Sequence, residues 1–194
     1  PVSTLRFNTW QNTGGTEAAT ASEVSAYSFT EPGSVLVATT SFSGAINVQI
    51  DNCFTSTYSV YKVYVYFDHA SDGLWFIRMT TGGTPETSVY ESAYCNTRAG
   101  NAVSGQGGSG QSYMYGGTGN YDLTTEITIL NPYQSLNTAC HWLSHSKAGA
   151  SNYNYQTWGG ASVNNTNSHD GIHLASGISQ NISGNIWVYG VKQS

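Results

Sequence analysis

The chain has 194 residues, of which only 9% are charged, against the usual quarter, and 13% are aromatic, with 14 Tyr and 5 Trp. Its net charge is -5 and its Lys and Arg residues stand singly, which excludes the concentrated basic footprint that nucleic acid requires. No apolar run approaches the roughly 20 residues of a membrane-spanning helix, so membrane insertion is not expected. Ser, Thr, Asn and Gly replace the missing charge, which suits antiparallel sheets and neutral partners. One domain of about 150 to 190 residues is the simplest division.

Residues 1–33 form an irregular N-terminal arm. It has no sustained period, but it carries Phe7 and Trp10 in an otherwise polar stretch. Each ring gains by lying over a surface, where it buries about 150 Å². Docking on the chain's own domain and docking on another subunit are both open. Residues 17–26 are expected to make a brief helical turn, too short to stand alone.

From residue 34 the pattern is that of strands, and residues 34–194 form the predicted domain. Ser34 to Thr40 follows a Pro32-Gly33 turn, and residues 45–50 alternate Ile46, Val48 and Ile50 against Asn47 and Gln49. Val60 to Phe67 is the most strand-like run: Tyr61, Val63, Val65 and Phe67 fall on one face, and Lys62, Tyr64 and Tyr66 on the other. The next run, Leu74 to Thr80, begins six residues later, across DHASDG, so a hairpin is expected. Ser88 to Cys95 places Tyr90 and Tyr94 on one face and small residues on the other, which marks Tyr90 and Tyr94 as candidate subunit contacts together with Phe7 and Trp10.

Residues 96–120 are so rich in glycine that a long surface loop is expected, held by Tyr113, Met114 and Tyr115. Further strands are expected over 125–130, stopped by Pro132, then 139–147, 153–158, 171–175 and 185–192. About ten short strands with frequent turns and no long helical period define an all-β, antiparallel β-sandwich. Cys53, Cys95 and Cys140 have no CxxC spacing. The residues favour three structural thiols, with one disulfide plus a free thiol as the alternative.

The sequence NCFTSTYSVYKVYV, a later polar middle and the closing ISGNIWVYGVKQS together resemble a module of virion structural and tail-fibre proteins of tailed bacteriophages, notably marine ones. The matching residues are Cys53, Phe54, Ser56 and Tyr58, then Ser183, Gly184, Ile186, Tyr189 and Gly190, and the resemblance spans roughly residues 44–194. It implies a jelly-roll-like sandwich, a virion location, and a symmetric assembly, commonly a homotrimer, in contact with other virion proteins. The RFNTWQN arm lies outside it.

Side chains for chemistry are sparse. His141 and His145 share a strand face but stand about 13 Å apart, too far for one metal, and are expected to pack or hydrogen-bond. His169, Asp170 and His173 lie close in sequence, yet no third or fourth zinc ligand is placed. Asp68, His69 and Asp72 lack the ligand spacing of a calcium loop and read as turn formers. No pair of carboxyls is marked for glycoside hydrolysis, and neither a GxSxG elbow nor a phosphate-binding glycine loop is present. No enzyme activity, cofactor or metal is therefore expected.

The aromatic residues are the better clue, because the C–H faces of sugars stack on Trp while Asn and Asp take their hydroxyls. Among Trp75, Trp142, Trp158 and Trp187, the first and last sit in strong strands and are expected to fill the sandwich. Trp158, Asn165 and Asp170 are the candidate glycan contacts. The expected function is that of a non-enzymatic bacteriophage virion structural protein that assembles or decorates the particle. The alternative is a receptor-binding tail-fibre or spike tip that recognises host surface polysaccharide.

Overall fold

The structure is a computed structural model and describes residues 9–11, 17–20, 33–69, 73–98, 103–119, 121–148, 153–177 and 180–192. The chain divides into two compact units, residues 1–33 and 34–194. In the first, β1 (Thr9–Gln11) pairs antiparallel with β2 (Glu17–Thr20). Residues 17–20 are therefore strand where a helical turn was expected, and the arm contains a small ladder of its own. Phe7 lies outside the described residues, and Trp10 is placed only by its backbone in β1.

The second unit is all-β and builds two antiparallel sheets. The larger has eight strands in the order β3 (Ser34–Ala45), β15 (Ile182–Val191), β5 (Val60–His69), β11 (Tyr121–Leu130), β12 (Thr138–Ala148), β13 (Tyr153–Val163), β8 (Tyr90–Arg98) and β9 (Ser104–Gln111). The smaller runs β10 (Met114–Gly119), β6 (Gly73–Thr81), β14 (Gly171–Ser176) and β4 (Asn47–Ile50), with β7 (Thr84–Pro85) paired to β6. Residues 60–67 sit centrally in the larger sheet, flanked by β15 and β11.

The core lies between the sheets and follows the two-residue period. Tyr61, Val63, Val65 and Phe67 of β5 are all buried, as are Trp75, Ile77 and Met79 of β6. Phe67 meets Trp75 edge to face, with ring centroids 5.5 Å apart. Polar links also cross the interior. The Met79 amide donates to Tyr90 Oη at 2.9 Å, and Ser144 Oγ donates to the Gly116 carbonyl at 2.6 Å. Because each of these polar groups finds its partner across the core, burying it carries little penalty.

The expected hairpin between residues 60–67 and 74–80 does not form. β5 and β6 belong to different sheets, so the connection between them crosses from one layer to the other. The apolar sides of both strands can be buried only if they face each other across the core. Side-by-side pairing would have left one layer without its partner.

The glycine-rich stretch is also not a loop. Residues 104–111 form the edge strand β9 on β8, and 114–119 form β10 on β6. The glycines have a packing reason: a Cβ on Gly116 would collide with the Trp75 ring, and one on Gly107 would stand 3.0 Å from the Ser92 carbonyl oxygen. Ile46, expected on the buried face with Val48 and Ile50, is 47% exposed because β4 starts only at Asn47. All three cysteines are free thiols, Cys53 and Cys140 buried and Cys95 half-buried.

Candidate functional site

Burial of the inner face leaves the outer face of the larger sheet to be explained. Successive registers place Cys95 opposite Trp158, Trp158 opposite Leu143, Leu143 opposite Glu126, Glu126 opposite Tyr64, and Tyr64 opposite Trp187. Residues directly opposite in a ladder share a face, so these six side chains form one line running across six strands. Trp158 is 38% exposed, Leu143 44% and Tyr64 41%. Trp158 and Leu143 are thus adjacent exposed apolar side chains, and Tyr64 follows beyond Glu126.

At the β9 end the line lies in a groove of about 960 Å³, bounded by β9, β8, β13 and β12 and reaching Glu126 on β11. Its floor is partly bare backbone, because Gly105, Gly107 and Gly160 line it without side chains. Gly159 cannot be replaced simply: a Cβ there would stand 2.8 Å from the Ala93 carbonyl and overlap the indole of Trp142. Trp142 thus supports the floor from the core side, while its neighbours Leu143 and His141 point outward. A second hollow of about 300 Å³ around Tyr64, Tyr66 and Trp187 shares Glu126 and Leu143 with the groove.

Along the aromatic line and in the rows beside it, formal charge is confined to one pair. Glu126 is ion-paired with Lys62 across β11 and β5, and both side chains remain partly exposed. Gln156, His145, Thr124 and Tyr66 form a polar row on one side of the aromatic line. The Tyr66 hydroxyl donates to Asp122 Oδ1 at 3.1 Å, and this hydrogen bond raises the pKa of the phenol. Cys95 is the thiol of the floor, 3.6 Å from the position a Gly105 Cβ would take.

The structure does not bring Trp158, Asn165 and Asp170 together. Trp158 stands in mid-strand on the outer face, five residues and about 17 Å from the end of β13 at Val163. Asn165 lies beyond that end, where its Oδ1 accepts from the Asn167 amide at 3.2 Å in a local turn. Asp170 belongs to the smaller sheet's end: its Oδ2 accepts from the Gly82 amide at 3.0 Å. Both carboxamide and carboxylate hold backbone turns, the role that Asn and Asp commonly play in connections.

The tyrosines proposed as subunit contacts face inward. Tyr90 is fully buried, its hydroxyl engaged by the Met79 amide, and is therefore closed to another chain. Tyr94 is half-buried, stacked on Tyr115 with centroids 4.2 Å apart, and donates to Gln106 Oε1 at 2.7 Å. Trp75 and Trp142 fill the core, whereas Trp187, expected there too, is half-exposed on the outer face. His141 and His145 are exposed on that same face, which removes packing and leaves hydrogen bonding as their expected role.

His169 is buried beside Thr81, with its Nδ1 3.1 Å from Thr81 Oγ1, while His173 lies on β14 between Gln49 and Arg78. The two imidazoles thus belong to different surroundings, and among the described residues no group of three His, Cys, Asp or Glu is placed to hold a metal. Leu143, Tyr64 and Trp187 escaped sequence reasoning as site residues. The outward face of β5 was legible, but its neighbours across the sheet were not.

No protein-family model, no curated protein and no solved structure matches this chain.

Proposed function

We propose that residues 34–194 are a non-enzymatic carbohydrate-recognition module that stacks sugar rings on the outer face of its larger sheet. The observation that carries this reading is Trp158, an indole left 38% exposed over a glycine floor beside Leu143, 44% exposed. Full burial of a large apolar side chain contributes about 1.5–3 kcal/mol, and a ligand covering the exposed part would recover a fraction of that. The C–H face of a pyranose fits an indole, and the glycines leave room for the ring. His141, Gln156 and His145 offer hydrogen-bond partners for hydroxyls. Cleavage of a glycosidic bond usually takes two carboxyls. Glu126, the carboxylate in the groove lining, is paired with Lys62, which favours binding over hydrolysis.

The setting we propose is the surface of a tailed-phage virion, with the domain as the receptor-binding tip of a fibre or spike and a jelly-roll-like, homotrimeric assembly. Its support is the pair of sequence elements around Tyr58 and Gly190 that resemble phage virion modules. The test is binding of the protein to host surface polysaccharide, with Trp158→Ala alongside. Saturable binding that weakens roughly tenfold or more in the variant, at unchanged melting temperature, is expected. Equal binding by both proteins would overturn the reading.

A specific observation favours the structural role as a second reading. β3 is an edge strand of 12 residues without a charge, and its Val35, Leu36 and Val37 are 36%, 49% and 36% exposed. Among the described residues β3 pairs only with β15, so its other edge offers backbone groups and apolar cover to another strand, as assembly of a particle would require. Leu36→Lys should then disperse any self-association seen by sedimentation. Unchanged assembly would remove this edge from the account.

A further inference from the structure

On the carbohydrate-binding reading, the geometry of the outer face points to a particular ligand class: we infer that it binds an extended, linear, neutral polysaccharide laid across the strands, with Trp158 and Trp187 at the two ends of one continuous track.

The track is set by register. Trp158, Leu143, Glu126, Tyr64 and Trp187 occupy consecutive strands at directly opposing positions. With strands about 4.8 Å apart, Tyr64 lies about 14 Å from Trp158 and Trp187 about 19 Å from it. One pyranose of an extended chain covers close to one strand spacing, so the two indoles are separated by several consecutive sugars. The groove and the second hollow share Glu126 and Leu143 in their linings, so the two adjoin on the stretch of face between the indoles. A pocket for a terminal sugar would be closed at one end; this face is open along its length.

Charge selects the chemistry of the chain. In the aromatic line and in the rows on either side of it, the formally charged side chains are Lys62 and Glu126, and they neutralise each other. An acidic polysaccharide, with a carboxylate or sulfate on each repeat, finds no free cation in these rows. A neutral chain finds stacking surface along the centre and, at its margin, the Gln156, Thr124 and Asn185 side chains for its hydroxyls.

The experiment is calorimetric titration with β-1,4-linked gluco-, manno- and xylo-oligosaccharides, each from the mono- to the hexasaccharide, and with a galacturonate ladder as the acidic counterpart. At least one neutral ladder should gain roughly tenfold or more in affinity between tri- and hexasaccharide, and the galacturonates should bind more weakly than that ladder. Trp187→Ala should abolish the gain while leaving trisaccharide affinity intact; Tyr64→Ala provides the same reading if the Trp187 variant does not fold. Disaccharides binding as tightly as hexasaccharides would overturn the track and leave a short-ligand site at Trp158. Preference for the galacturonates would also overturn the inference while sparing carbohydrate binding. Failure of every ladder and of host polysaccharide would sink both. Concentration-dependent dimers that Leu143→Lys dissociates would assign the face to a second copy of this chain instead, and so also overturn it.

Discussion

The ring of Tyr58 lies on the backbone of Gly190, close enough that a Cβ at position 190 would collide with the ring. This contact joins the connection before β5 to the last strand of the chain. Tyr58 also meets Tyr61 edge to face at 5.7 Å, and Tyr61 meets Phe54 at 4.8 Å, so three rings close one end of the core against β15. Gly190→Ala must push Tyr58 aside, an overpacking that costs about 1–3 kcal/mol. Urea denaturation should show that loss, and Tyr58→Ala should relieve part of the steric cost when the two changes are combined.

Ser144 carries a buried relay between the sheets. Thr125 Oγ1 donates to Ser144 Oγ at 3.0 Å, and Ser144 Oγ donates to the Gly116 carbonyl. Ser144→Ala strands a donor and an acceptor in the core and should lower stability by about 1–3 kcal/mol. Adding Thr125→Val removes the stranded hydroxyl, so the double variant should lose less than the two single losses combined. Additive losses would mean that the hydroxyls act independently.

Acid should destabilise the domain through its buried imidazoles. Burial pulls His169 below its usual value of 6.5, with Glu86 and Asp170 opposing the shift. Burial and then Arg78 pull His173 down, with Asp51 opposing. The folded chain keeps both rings neutral at a pH where the unfolded chain has begun to protonate them. Their contribution is therefore fully present above pH 6.5 and is lost as pH falls from 6.5 toward the depressed folded values. The urea midpoint should drop between neutral pH and about pH 5, and replacing both histidines by Gln should flatten that drop.

The thiols should separate by position. Burial pushes Cys53 and Cys140 up to about 12 each, so neither offers a thiolate at neutral pH. Cys95 is half-buried on the groove floor. A thiol reagent should titrate Cys95 in the folded protein and all three cysteines in denaturant. Cys95→Ser should abolish the native reaction, and a bound oligosaccharide should slow it. Equal native reactivity of the three would contradict the burial described.

The sequence by itself determined the fold class and the inward face of β5, because a two-residue apolar alternation admits only one orientation of a strand over a core. Tyr61, Val63, Val65 and Phe67 are inside for that reason, and the same alternation sent Tyr64 outward. It could not determine which strands pair, because alternation marks a face and carries no information about the neighbour on that face. A six-residue connector such as DHASDG serves a hairpin or a crossing between layers equally well, and the crossing is what lets the apolar faces of β5 and β6 pack together, Phe67 against Trp75 among them. Glycines hide a strand altogether, since β9 has no side-chain period to read and exists through its ladder with β8. The candidate site depends on pairing most of all. Trp187, Tyr64, Leu143 and Trp158 come from β15, β5, β12 and β13, and it is the tertiary register of the larger sheet, through long-range backbone hydrogen bonds, that sets them in one line.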